Sequence, residues 1–191
     1  MVRLILASQS IYRLELLRGA GYDVEAVRAE VAEPDPADFP DMDAGLVHVA
    51  ALKARAVARG GAQGLILGAD TVGLAGGRVF GKPGDRADAR RMLEAISGTV
   101  HEVLTGWCLF RTRDQLQIAG VERTTVTMRS WTPDEFEAYL DSGEWIGKSG
   151  AYGLSLPHDP FVTRVAGSPS NVIGVPLERL ARVIAEFKLL G

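Results

Sequence analysis

Val2-Arg3-Leu4-Ile5-Leu6, then Ala7-Ser8-Gln9-Ser10, then Ile11-Tyr12-Arg13-Leu14-Glu15-Leu16-Leu17-Arg18 is the stretch that decides the fold class. The first five residues are a short, mostly apolar run of the kind a buried strand has. The small polar segment after them opens into a stretch with Ile11, Leu14 and Leu17 on one helical face. Gly19 and Gly21 are stop signals. Strand, loop and helix in succession point to an α/β chain.

The pattern continues outward from there. Residues 30–43 are acidic and hold Pro34, Pro36 and Pro40, which predicts an exposed ordered loop or a flap. Residues 44–59 are rich in alanine, with Leu46, Val49, Ala50 and Lys53 at helical spacing. Residues 65–74 read as a strand, turned at Gly76-Gly77 into a second short strand ending near Phe80. Asp85 caps a helix whose Ala89, Met92, Leu93 and Ile96 form the apolar stripe, and Ser97-Gly98 ends it. Residues 100–111 and 116–128 read as two long neighbouring strands, so part of the sheet is antiparallel. Thr132-Pro133-Asp134-Glu135 has the form of a capping box and starts a helix running through Tyr139. Residues 176–190 close the chain as a helix. Residues 143–170, rich in Gly, Pro and Ser, are too long for a plain connection and are a candidate functional segment. The expected architecture is a single domain over residues 1–191, an α/β fold with a mixed twisted sheet flanked by helices and two lobes around a central cleft.

Composition narrows the partners. The 191 residues carry 21 Lys and Arg against 24 Asp and Glu, a net charge of −3, with 47% hydrophobic and 24% charged residues. A chain of that length buries roughly 70% of its unfolded surface, and its balance is neither disordered nor collagen-like. It lacks the basic excess that phosphate-backbone binding uses, so nucleic acid is not an expected partner. The single Cys108 excludes an intramolecular disulfide and a Cys-rich zinc site, and its apolar strand makes it an inert core thiol. His48, His101 and His158 have no zinc-site spacing and are expected to be structural or solvated. Asp70 interrupts the most apolar stretch, residues 65–75, which leaves no membrane span, and the run over residues 1–7 is too short for a signal-peptide core. A cytoplasmic protein is expected.

Several segments carry candidate chemistry, each with two readings. Ser8 and Ser10 sit at a strand-to-helix junction, where free N–H groups and the helix dipole make an anion site that Arg13 can reach; alternatively Ser10 only caps the helix and Arg13 is solvated. Asp70 in Gly68-Ala69-Asp70-Thr71 is either salt-bridged for structure or faces a cleft as a base or metal ligand, with the small Gly68 and Ala69 allowing a ligand close. In Gly81-Lys82-Pro83, Pro83 holds Lys82 extended; the other reading is a surface lysine in a turn. Lys53 lies on the apolar-spaced face of its helix and either snorkels to water or points into an anionic pocket with Arg13 and Lys82. Glu33 is a solvated charge or a second carboxylate for a cation. Residues 147–153 and 166–171 are Gly-rich stretches able to turn N–H groups toward phosphates, with Tyr152 packed on a base or on the core.

In order along the chain these blocks resemble the Maf family of septum formation proteins, whose members are similar to nucleoside triphosphate pyrophosphatases. The match runs from Leu4-Ile5-Leu6-Ala7-Ser8-Gln9-Ser10 with Arg13, through Lys53-Ala54, Leu67-Gly68-Ala69-Asp70-Thr71-Val72 and Gly81-Lys82-Pro83. It continues through Ser97-Gly98, Thr105-Gly106, Lys148 to Tyr152, and Asn171-Val172-Ile173-Gly174-Val175-Pro176-Leu177. The resemblance implies a mixed α/β fold with a deep cleft, like the inosine triphosphatases, often dimeric. It also implies hydrolysis of a nucleoside triphosphate between the α and β phosphates, with a divalent cation, to a monophosphate and pyrophosphate. Asp70 is then the proton acceptor, and Ser8, Arg13, Glu33, Lys53, Lys82 and Lys148 line the triphosphate and metal site.

Four cations suit a triphosphate, and the carboxylates Asp70 and Glu33, without a His/Cys cluster, suit magnesium or manganese. Three positions bear on the base. Thr71 matches the branch acting on thymidine and uridine triphosphates. Tyr12 stands where the usual Ser-Pro-Arg-Arg has an arginine and resembles the branch acting on 7-methyl-GTP. Ser155, in Leu154-Ser155-Leu156 where the first branch has Ile-Gln-Gly, matches neither, so the base preference stays open. A catalytically weak nucleotide-binding regulator of cell division is the alternative.

Overall fold

The computed structural model describes residues 2–189. Its strands are β1 (Arg3–Leu6), β2 (Asp23–Ala26), β3 (Leu65–Ala75), β4 (Arg78–Phe80), β5 (Val100–Arg111), β6 (Leu116–Met128) and β7 (Val162–Ala166). The helices are α1 (Ile11–Gly19), α2 (Met42–Arg59), α3 (Arg86–Ile96), α4 (Pro133–Ser142), α5 (Pro169–Ile173) and α6 (Leu177–Leu189). The seven strands form one sheet of order β2-β1-β3-β5-β6-β7, with β4 on β3. It is mixed: β1 is parallel to β2 and to β3, while β4 is antiparallel to β3 and β7 to β6. The expected mixed α/β class is therefore the one observed. The helix expected over residues 176–190 is α6; residue 190 lies outside the described residues, as does Met1 of the N-terminal stretch. No helix among the described residues is long and apolar enough to cross a membrane.

The described residues divide into two compact units. The first comprises the chain through Asp70, Thr105–Glu122, and the residues from Ile173 on; the second comprises Thr71–Leu104 and Arg123–Val172. In the first unit the strands obey the two-residue alternation of pleated chain. Leu4, Leu6, Leu67, Trp107 and Leu109 pack with Leu17 of α1 and with Leu180, Val183, Ile184 and Phe187 of α6. The intervening Ile5, Ala7, Ile66, Cys108 and Phe110 pack with Ala50, Ala51, Ala54 and Val57 of α2. Cys108 is fully buried, and desolvation pushes its thiol up to about 12, so it is the inert thiol expected. Ile11 departs from its expected place on the buried face of α1. It is 51% exposed, and the residues the helix buries are Arg13 and Leu17.

Close approach by α2 depends on two strand glycines. A Cβ at Gly68 would lie 2.0 Å from the Ala50 carbonyl oxygen, and one at Gly106 would lie 2.5 Å from the Leu46 carbonyl. Gly68 therefore makes room for a helix, not for a ligand as its position beside Asp70 implied. The segment before α2 is likewise seated. Pro36 is buried in a short 3-10 turn over Pro36–Asp38, and a Cβ on Gly45 would meet its carbonyl oxygen at 2.5 Å.

The second unit is built on the expected local signals. Gly76 and Gly77, both at positive φ, turn β3 into β4 as a tight hairpin. Asp85 caps α3, whose Ala89, Met92, Leu93 and Ile96 are all buried, and Thr132 with Glu135 closes the capping box of α4. Between them lies an aromatic cluster in which Trp131 stacks on Phe161 with centroids 3.7 Å apart, with Tyr139 and Tyr152 edge-on to Trp131. Residues 143–170 are not all loop. They hold a 3-10 turn over Ser149–Ala151, the edge strand β7 and the start of α5.

His101 of β5 is buried, its Nδ1 makes no hydrogen bond, and desolvation lowers its pKa to about 4. The folded value lies below the unfolded one near 6.5, so the neutral ring costs nothing above pH 6.5, and stability falls as the pH drops toward 4. The full loss is about 3 kcal/mol. Urea unfolding at pH 7 and pH 4.5 should show a smaller drop in His101→Gln than in the parent; equal drops would refute the assignment.

Candidate active site

The N-terminal end of α1 and the strands beside it place one polar cluster in the first unit. β1 ends at Leu6, and Ser8 turns the chain. Its N–H donates to the Leu6 carbonyl at 2.9 Å, and its Oγ accepts from the Ser10 N–H at 3.2 Å. Ser10 then caps α1 by accepting from the Arg13 N–H at 3.4 Å. Three main-chain donors of this junction, those of Ser8, Ser10 and Arg13, are thus engaged within the chain. The cationic group of the junction is Arg13. It is buried, not solvated, with Nε donating to the Gly174 carbonyl at 3.0 Å and Nη1 to Ser8 Oγ at 3.3 Å. Burial lowers its pKa from the ordinary arginine value, and the negative charges of Asp70 and Glu33 act against that shift.

α2 and β3 supply the rest. Lys53 is 6% exposed, so it does not snorkel to water. Its Nζ lies 2.7 Å from Asp70 Oδ1 and 2.7 Å from Glu33 Oε2. An ammonium in so little water needs such partners, because an unpaired buried charge costs several kcal/mol. Asp70 takes the salt-bridged reading. Its side chain keeps 19% exposure, and Glu33 keeps 47%. Among the described residues Lys53 is the hydrogen-bond partner of Asp70, so Oδ2 is left without a protein donor. Two carboxylates with open oxygens are the donor type a hard divalent cation takes, completing its shell with water and phosphate oxygens. No group of three or more His, Cys, Asp or Glu able to hold a metal occurs among the described residues.

The other expected site residues are distributed as follows. Tyr12 is 37% exposed on the first turn of α1. Thr71, Lys82, Lys148 and Ser155 belong to the second unit. There the Thr71 carbonyl accepts from Ser149 Oγ at 2.6 Å, and the Gly81 carbonyl, next to the exposed Lys82, accepts from the Gly150 N–H at 2.9 Å. The Lys148 side chain is only 11% exposed, with Nζ 3.7 Å from Glu144. Ser155 is exposed and donates its N–H to Asp159 Oδ2. Tyr152 takes its core reading, within the aromatic cluster.

The stretch over residues 166–171 is tied to Thr124 of β6. Thr124 Oγ1 donates to the Ser168 carbonyl and accepts from the Ser168 N–H and from Asn171 Nδ2, each at 3.1 Å. Two participants escaped the sequence reading: the Gly174 carbonyl, which carried no signal, and Asp159, for which the turn-favouring pair Asp159-Pro160 was the available one.

An α/β chain with a buried lysine clamped between two partly open carboxylates beside a buried arginine has the makings of a phosphate-handling enzyme. The family model described as Maf-like protein matches residues 3–187, and the chain belongs to that family. Two relatives are named dTTP/UTP pyrophosphatase. The one from Acetivibrio thermocellus is 39% identical, over 98% of this chain and 96% of its own length. The one from Bacillus cereus is 38% identical, over 99% of this chain and 92% of its own. A solved nucleoside-triphosphatase / dITP/XTP pyrophosphatase from Mycobacterium abscessus superposes with a TM-score of 0.40 at 16% identity, over 66% of this chain and 74% of that one.

Proposed function

We propose that the chain is a nucleoside triphosphate pyrophosphatase that cleaves the α–β anhydride, with dTTP and UTP as preferred substrates. The observation that carries the reading is the clamp of Lys53 between Asp70 and Glu33, in a chain whose relatives bear that activity in their names. A water oxygen attacks the α-phosphorus and the bond to the bridging oxygen breaks. Pyrophosphate leaves, and the proton of the attacking water passes to Asp70. Lys53, with Nζ 2.7 Å from Asp70 Oδ1, orients the carboxylate for that proton. Arg13, held at Nε and Nη1, offers its planar donor fork to a phosphate. Lys82 and Lys148 join the proposal on the family resemblance, as further cations for the phosphates. Asp70 and Glu33 would hold a magnesium or manganese ion, which neutralises phosphate charge when bound. Thr71 and the names of the relatives favour the pyrimidine bases.

The test is product analysis with a nucleotide panel. Purified protein with magnesium should convert dTTP and UTP to the monophosphate and pyrophosphate in equal amounts, faster than CTP, GTP or 7-methyl-GTP. Release of orthophosphate with a diphosphate would refute the bond assignment. A preference for 7-methyl-GTP would overturn the base assignment and give Tyr12 the deciding role. Tight nucleotide binding without turnover would favour a regulator.

A further inference from the structure

Asp159 is a hub within the second unit. Its Oδ1 accepts from the Tyr152 hydroxyl and from the N–H groups of Phe161 and Val162, and its Oδ2 accepts from the Ser155 N–H at 2.9 Å. One carboxylate thereby closes the segment from Tyr152 to Val162 on itself, and Tyr152, tied at its hydroxyl, is fixed at its ring by Trp131, Tyr139 and Phe161. Gly153 lies between the two anchored residues Tyr152 and Ser155. A Cβ at Gly153 would stand 2.8 Å from Cδ, 2.9 Å from Cε and 3.1 Å from Nζ of Lys148, so the lysine stem runs over this glycine as over a floor. Burial lowers the Lys148 pKa, and the charges of Glu144 and Asp159 oppose that shift.

From this geometry we infer that Asp159 is a positioning residue for Lys148: by holding Tyr152 and Ser155 it fixes the Gly153 floor that aims the lysine. The link to triphosphate binding rests on the function proposed above; the positioning itself does not.

Asp159→Asn separates the interactions. The amide oxygen still accepts at the Oδ1 place, but the amide nitrogen presents hydrogens to the Ser155 N–H, and the negative charge is gone. Gly153→Ala reaches the same end without touching Asp159, since the added methyl meets the far end of a flexible side chain. Labelling by trinitrobenzenesulfonate without nucleotide, read by mass spectrometry, should show Lys148 modified about three times faster in both variants. Lys82 should be unchanged as the internal control. Melting temperatures should fall by less than about 8 °C, which leaves both variants folded under the labelling conditions. Should Asp159→Asn fail to fold, Tyr152→Phe, which keeps the ring and drops one bond to Asp159, is expected to raise Lys148 labelling alone.

Unchanged Lys148 labelling in a folded Asp159→Asn, or in Tyr152→Phe where that variant decides, overturns the inference. With dTTP, Asp159→Asn should raise KM about five-fold with kcat within about two-fold, and have no further effect in a Lys148→Ala background. Faster labelling in Tyr152→Phe, which keeps the Asp159 charge, upholds the positioning, and an unchanged KM beside it removes Lys148 from the triphosphate site.

Discussion

Asp70→Asn should lower kcat for dTTP hydrolysis by roughly 10²- to 10⁴-fold while leaving the protein folded. The two halves of that expectation have separate physical grounds. Asparagine keeps the shape of the side chain and an oxygen that can accept from Lys53 Nζ, and Glu33 remains 2.7 Å from the same ammonium as its counter-charge. The buried lysine is therefore never left unpaired, and the loss of stability should stay near 1 kcal/mol, the scale of one weakened hydrogen bond. What asparagine cannot do is take a proton from water at neutral pH.

Lys53→Met is the informative companion. It removes the ammonium that sits between Asp70 and Glu33 and leaves the two carboxylates without their shared counter-charge. Activity should fall as in Asp70→Asn. Initial rates by pyrophosphate release, with melting curves on the same samples, check both variants. A kcat for Asp70→Asn within ten-fold of the parent would remove Asp70 from the role of base.

The parts of the fold that were legible in the sequence are those whose cause is local. Asp85 with the stripe of Ala89, Met92, Leu93 and Ile96 specifies α3, and Thr132 with Glu135 specifies the start of α4, because cap and periodicity lie within a few residues of each other. Strands β2 and β7 escaped because each is an edge. Only Val24 is buried in β2, and Thr163 and Arg164 are exposed in β7, so the strand character comes from a partner elsewhere in the chain. The site divides in the same way. Asp70 announced itself as a carboxylate in an apolar strand, and its salt bridge was one of the two outcomes that placement allows. The burial of Arg13 was not visible: its Nε partner is the carbonyl of Gly174, at the other end of the chain, and a main-chain acceptor carries no side-chain signal. Gly68 was misread because a small residue beside a carboxylate looks the same whether a ligand or a helix comes close.

Gly68→Ala should be among the most damaging single-methyl additions in the first unit, costing about 4 kcal/mol or more and lowering the melting temperature by roughly 8–16 °C. The added Cβ would lie 2.0 Å from the carbonyl oxygen of Ala50, 3.0 Å from its carbonyl carbon and 3.1 Å from the Ala54 nitrogen, all main-chain atoms of α2. No rotamer change relieves a clash with backbone, so helix and strand must move apart. Ala50 stands one turn before Lys53 on that helix, and Gly68 stands two residues before Asp70 on the strand, so the displacement falls on the 2.7 Å contact between them. Activity should drop further than the folded fraction alone accounts for. Gly73→Ala on the same strand is the control. Its Cβ would meet nothing closer than 3.8 Å, and the change should cost less than about 1 kcal/mol. Equal melting temperatures for the two variants would mean that α2 does not rest on Gly68, and the account of how Lys53 is brought to Asp70 would fail with it.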